Sequence, residues 1–115
     1  MADPRRALGR HGEDLAAEWY ETQGYSIVAR NWRVRAGELD LIALKGNDLI
    51  VCEVKTRSSR RFGSPFEAVT QPKQRRIRGL ALQFLDDNPR YRGAQLRFDV
   101  AAVEPGSIEV MEAAF

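Results

Sequence analysis

Apolar positions along the chain repeat with two different periods. From about Arg6 to Gln23, Leu8, Gly12, Leu15, Ala16 and Trp19 share one stripe at helical spacing, and Gly24 supplies a stop. Tyr25 to Trp32 reads as a strand, with Tyr25, Ile27 and Ala29 alternating against Ser26, Val28 and Arg30. Two dense runs follow, Leu39–Leu44 and Leu49–Val54, rich in Leu, Ile and Val and suited to a buried sheet. The helical period returns over about Gln71–Asp86, where Ile77, Leu80, Ala81, Phe84 and Leu85 form the apolar face. Ser64-Pro65-Phe66-Glu67 predicts a short helical turn before it, and Asp87-Asn88-Pro89 an end after it. Gln95–Val103 and Ser107–Met111, separated by Pro105-Gly106, are the last two strands, the final one at an edge.

The predicted order is α-β-β-β-α-β-β. The first three strands form an antiparallel meander, turning back over Arg33–Gly37. A helix of that length before the fourth strand predicts a crossover to a parallel neighbour. The fold class is therefore α/β: a mixed sheet flanked by helices. No repeat or linker divides residues 1–115, which suit one domain.

Charge breaks this pattern where it should be most apolar. Asp40, Glu53 and Lys55 lie inside the two dense runs. A buried charge is costly unless it is paired or holds a metal. Gly46-Asn47 suits a two-residue hairpin with Gly at the first central position. Carried along that ladder from Lys45 and Asp48, Asp40 falls opposite Glu53 and Glu38 opposite Lys55. A turn on Asn47-Asp48 instead puts Lys55 opposite Asp40. Glu53 and Lys55 share a face in either register. Two adjacent carboxylates repel, and a divalent cation turns that repulsion into attraction. The competing explanation is a structural salt-bridge cluster of Glu38, Asp40, Glu53 and Lys55.

Asp on one strand and Glu-Val-Lys on the next resembles the PD-(D/E)xK nuclease motif, with Leu39 where the motif's name has Pro. The surrounding words, Gly37 through Arg57, resemble the YraN-like family of small bacterial proteins. The likeness runs from Gly9-Arg10-His11-Gly12-Glu13 through Arg97-Phe98-Asp99-Val100. It implies a restriction-endonuclease-like domain similar to archaeal Holliday-junction resolvases, and a metal-dependent nuclease acting on DNA, selective for structure rather than sequence. On that resemblance Asp40, Glu53, the carbonyl of Val54 and Glu13 hold Mg²⁺ or Mn²⁺, and Lys55 positions the attacking water. Gln74 joins the site from the second helix, with Lys73 as the alternative. Glu13 lies about 100° from the centre of its helix's apolar stripe, a margin from which a carboxylate reaches the sheet. Gly9, Gly12 and Ala16 predict a close approach of that helix. Resolvases of this fold imply a homodimer.

Composition adds the partner. Net charge is only +2, but Lys55, Arg57, Arg60, Arg61, Lys73, Arg75, Arg76 and Arg78 are opposed in their span by Glu67 alone. Such a patch suits a phosphate backbone, of DNA or of RNA, and Arg57, Arg60, Arg61, Lys73, Arg75 and Arg76 are the candidate contacts. The loop Arg57–Gly63 is placed to close over it. Cys52 is alone, one residue out of phase with Glu53, and reads as a buried inert thiol. The lone His11 has no zinc-type or triad partners. No apolar run spans a bilayer and the start lacks a signal-peptide core, so a cytoplasmic protein without a membrane partner is expected. Asp99, between Phe98 and Val100, reads as a structural partner for an Arg. The rival functions are a non-catalytic nucleic-acid-binding module with a degenerate site, and an interaction protein that pairs through its edge strand.

Overall fold

The computed structural model describes residues 4–57 and 65–115, with side chains from residues 8–57 and 66–115. Helix α1 (Pro4–Thr22) is followed by strands β1 (Ser26–Val34), β2 (Gly37–Lys45) and β3 (Asp48–Thr56). Helix α2 (Gln71–Asp87) then leads to β4 (Gln95–Glu104) and β5 (Ser107–Met111). Short 3₁₀ turns cover Pro65–Ala68 and Pro89–Tyr91. The five strands lie in one sheet in chain order, antiparallel except for the parallel pair β3–β4 that α2 bridges. This is the predicted mixed sheet and element order. The expected Ser64 cap and the basic loop, including Arg60 and Arg61, lie outside the described residues. Among those described, no helix is long and apolar enough to cross a membrane.

The hairpin turns where Gly46 can take a positive φ of 60°, and Lys45 pairs with Asp48. That register excludes the turn on Asn47-Asp48. The sheet is covered on both faces. Leu39, Ile42, Leu49, Val51, Phe98 and Val100 pack with Ile77, Leu80, Ala81 and Phe84 of α2. Leu41, Ala43, Ile50, Cys52 and Ala101 pack with Ala16, Ala17 and Tyr20 of α1.

The buried stripe of α1 differs from the predicted one. Leu8 is 38% exposed, and Leu15 and Trp19 are only partly buried. Gly12, Ala16, Ala17 and Tyr20 face the sheet instead. Small residues win because the helix lies too close for large ones: a Cβ on Gly12 would strike the Thr56 hydroxyl. Gly9 makes no such approach, since nothing lies within 4 Å of where its Cβ would stand. In β1 the expected alternation also fails. Val28 and Ala29 both pack toward α2, because the β1–β2 register shifts between Ile27 and Ala29.

Tyr20 reaches through the α1 layer to Asp99, which is fully buried. The Tyr20 hydroxyl donates to Asp99 Oδ2 at 2.6 Å, Arg97 donates through Nε and Nη2 at 2.9 Å each, and the Ala113 N–H donates at 2.9 Å. Burial, with Cys52 and Asp99 beside it, pushes the Tyr20 phenol far above its ordinary value, so it remains a donor. Four donors on one carboxylate tie α1, β4 and the segment after β5 together. Asp99→Ala leaves Arg97 and Tyr20 without their shared acceptor and should cost about 3–5 kcal/mol in urea denaturation. Tyr20→Phe, which removes one donor, should cost only about 1–2 kcal/mol.

Candidate functional site

β2 and β3 end their regular pairing at Leu41 and Cys52. Beyond it, Asp40 and Glu53 are no longer rungs of the ladder, and neither are Glu38 and Lys55. The predicted direct pairs are therefore absent, yet the four side chains meet. Glu38, Asp40, Glu53 and Lys55 line one cavity of about 320 Å³ with Lys73 and Arg76 of α2. A second cavity, of about 390 Å³, shares Asp40 and Lys55 and is walled by Leu8, Gly9, Glu13, Val54 and Thr56. Asp40 thus lies at the junction of two recesses, with Glu53 in the one under α2 and Glu13 in the one under α1.

Three contacts fix the geometry. The Val54 N–H donates to Asp40 Oδ2 at 2.9 Å, so Asp40 serves the backbone of the neighbouring strand. Asn31 Nδ2 donates to Glu13 Oε2 at 2.9 Å, which aims that carboxylate at the rim of the second cavity. Glu38 accepts from Arg33 Nε at 2.7 Å and is neutralised outside the acid pair. Glu53 is 6% exposed, and among the described residues its Oε2 is buried without a hydrogen-bond partner.

Burial, with the Asp40 charge adding to it, raises the Glu53 carboxyl to about 7; Lys55 and Lys73 pull the other way. Burial also lowers the Lys55 ammonium, and the close Lys73 ammonium lowers it further. Cys52 lies under α1 on the other sheet face, and burial pushes its thiol far up. It is inert at neutral pH.

Gln74 does not join the site. Its Nε2 donates to the Val69 carbonyl at 3.0 Å, bracing the segment before α2, and Lys73 takes the place in the cavity. Of the basic patch, Lys73 and Arg76 reach the acids, while Arg75 is exposed on α2. Arg57 closes β3 with its N–H on the Val103 carbonyl at 2.9 Å. Arg78 turns away, stacked 4.7 Å from the Phe98 ring centroid and 5.5 Å from that of Phe115. Asn31 was not among the sequence candidates. Its signal was a polar residue inside the strand pattern, just before Trp32.

The orphaned Glu53 oxygen, beside a second carboxylate, fits a hard divalent cation. The C=O of Val54 points to the same strand edge as its N–H, toward Asp40. Among the described residues no three of His, Cys, Asp and Glu gather around one point. An ion here would keep much of its water, as Mg²⁺ does.

A carboxyl raised in the folded state binds its proton more tightly there than in the unfolded chain. Its contribution to stability is therefore present below about pH 4.5 and lost as pH rises through about 7. Wild type without divalent ions should lose on the order of 3 kcal/mol more than Glu53→Gln between pH 5 and 8, by urea denaturation. Adding Mn²⁺ at pH 8 should recover stability in wild type and leave Glu53→Gln unchanged.

Known proteins place the chain. The model of the uncharacterised protein family UPF0102 matches residues 12–103. The UPF0102 protein of Rhodococcus jostii (strain RHA1) is 55% identical over 100 residues, covering 87% of this chain and 84% of the relative. That of Acidothermus cellulolyticus is 45% identical over 128 residues, covering 99% and 97%. That of Symbiobacterium thermophilum is 51% identical over 104 residues, covering 88% and 85%. The family match takes in the second half of α1, all of α2 and both strands that carry the acids, and the chain belongs to the UPF0102 family, the YraN-like family that its sequence resembles.

Proposed function

We propose that this protein is a metal-dependent nuclease that hydrolyses phosphodiester bonds in DNA. The observation that carries the reading is the meeting of Asp40, Glu53 and Lys55 in one cavity faced by Lys73 and Arg76. Apolar packing alone gives no reason to bury an unpartnered carboxylate oxygen beside two ammonium groups. Mg²⁺ or Mn²⁺, held by Asp40, Glu53 and the Val54 carbonyl, would lower the pKa of a bound water and polarise a phosphoryl oxygen.

The remaining work falls to the chain. Lys73 stands close enough to disfavour the charge on Lys55. A phosphodiester between them converts that repulsion into attraction. Lys55, two residues beyond Glu53 on β3, orients the attacking water and offsets charge that develops on the phosphorus oxygens. Arg76 grips an adjoining phosphate, with Arg75 and Arg57 further out. Glu13, held by Asn31, accepts hydrogen bonds from water or sugar at the α1 side of the cleft. Every one of these groups addresses backbone rather than base edges, so selectivity comes from nucleic-acid shape.

Purified protein should cut branched, flapped or single-stranded DNA in Mg²⁺ or Mn²⁺ and not in EDTA. Asp40→Ala, Glu53→Ala and Lys55→Ala should each lower kcat/KM by about 10²-fold or more while binding persists. Lys73→Ala and Arg76→Ala should weaken binding and reduce the slope of log affinity against log salt by roughly one each. Salt-sensitive binding with no cleavage of any substrate in Mn²⁺ would replace this reading with a non-catalytic nucleic-acid-binding module.

A further inference from the structure

Strict alternation fails at one rung of the sheet. In β2, Leu39, Ile42 and Leu44 pack toward α2, whereas Leu41 and Ala43 pack toward α1. Leu39 and Leu41, two residues apart, therefore face opposite sides of the sheet, although a regular strand would put them on one. β1 makes the same switch. Ala29, Trp32 and Val34 all pack toward α2, with a step of three residues between the first two. The register does not slip across this step: Arg30 pairs with Leu41 and Trp32 with Leu39. Both strands change phase together, at the unpaired step between these two pairs, which holds Asn31 in β1 and Asp40 in β2. Asn31 has a φ of 52° there, the left-handed conformation that Asn tolerates and β-branched residues do not.

We infer that Asn31 is the positioning residue of the acidic site: its left-handed backbone turns Asp40 out of the ladder, and its side-chain amide aims Glu13 at the same cleft. The inference deepens the nuclease reading and rests on it for the role of the cleft. Two features of one residue act here. The positive φ lets the β1–β2 pair switch phase without losing register, which frees the Asp40 carboxylate to take the Val54 N–H at 2.9 Å. The amide donates to Glu13 Oε2 at 2.9 Å and so ties α1 to the kinked rung. Asp40 consequently borders the recess under α1 and the recess under α2. Without the switch, its side chain would belong to one face only.

The two features separate by substitution. Asn31→Gly keeps the backbone and loses the amide; Asn31→Val keeps neither, and Asn31→Ala is the milder form should the Val variant not fold. Amide hydrogen exchange on the metal-free protein reads the backbone role without catalysis. The Val54 amide should exchange tenfold or more faster in Asn31→Val, relative to Ile50 and Cys52 further along the ladder, and within threefold of wild type in Asn31→Gly. Equal acceleration at all three amides would overturn the positioning of Asp40. Cleavage in Mg²⁺ reads the amide: Asn31→Gly should lose about tenfold in kcat with KM within twofold, a split that loss of folded protein alone does not give. Unchanged kcat in Asn31→Gly would overturn the role of the amide. If wild type cuts no substrate, the nuclease reading and the amide's catalytic role fall together, and the Val54 exchange pattern still decides what holds Asp40.

Discussion

The hydrogen bond from the Val54 N–H to Asp40 Oδ2 sets the geometry of the acidic end of the sheet. By the register of the hairpin, Val54 would face Leu39, and its N–H would seek a carbonyl of β2. A side-chain oxygen takes it instead. The ladder can therefore stop at Leu41 and Cys52 without stranding a donor, which a buried strand could not tolerate. Past that point β2 and β3 no longer have to run as a closed pair. Room appears between them and the helices, and Asp40, Glu53 and Lys55 come to line it.

The helices shape that room differently. α1 descends close to β3 because Gly12, Ala16 and Ala17 present almost no side chain, and it brings Glu13 to the edge of the cleft. On the actual buried stripe, Glu13 lies nearer the middle than it does on the stripe of large residues expected from periodicity. α2 approaches with Ile77 and Leu80, and its first turns carry Lys73 and Arg76 over the carboxylates. Positive charge near a helix N-terminus opposes the helix dipole by a few tenths to about 1 kcal/mol per group. The acids opposite offset that cost, and so would an anionic ligand.

Much of this was legible in the residues. Gly46, the dense apolar runs and the amphipathic second helix determine the hairpin, the crossover and the sheet order, because turn chemistry and periodicity are local properties. The convergence of Asp40, Glu53 and Lys55 followed from the hairpin register, although the ladder stops one rung short of them. What stayed hidden were features that depend on partners distant in sequence. The phase switch at Asn31 and Asp40 involves two strands, and neither strand announces it alone. Gln74 and Lys73 are neighbours on one helix, and only the position of the Val69 carbonyl decides which of them faces the cleft. The buried helix stripe differs from the one periodicity predicts because large residues mark that pattern, whereas the closeness of α1 to the sheet rewards smallness.

Asp99 and Glu53 make the sharpest comparison. Both are acids within apolar strand runs, both are buried, and their positions in β4 and β3 look alike in the sequence. Asp99 receives two bonds from Arg97, one from the Tyr20 hydroxyl and one from the Ala113 N–H, and its environment is complete. Glu53 keeps an oxygen without a partner, stands against a second carboxylate, and is raised toward neutrality by its own burial. A carboxylate selected for stability would end like Asp99, since each missing donor leaves desolvation unrepaid. Inside the fold the open coordination of Glu53 is offset by the nearby Lys55 and Lys73 charges and not by a hydrogen bond to Oε2. On the proposed reading a cation would complete it, which favours the cleft at Asp40 and Glu53, rather than the better-satisfied centre at Asp99, as the ligand site.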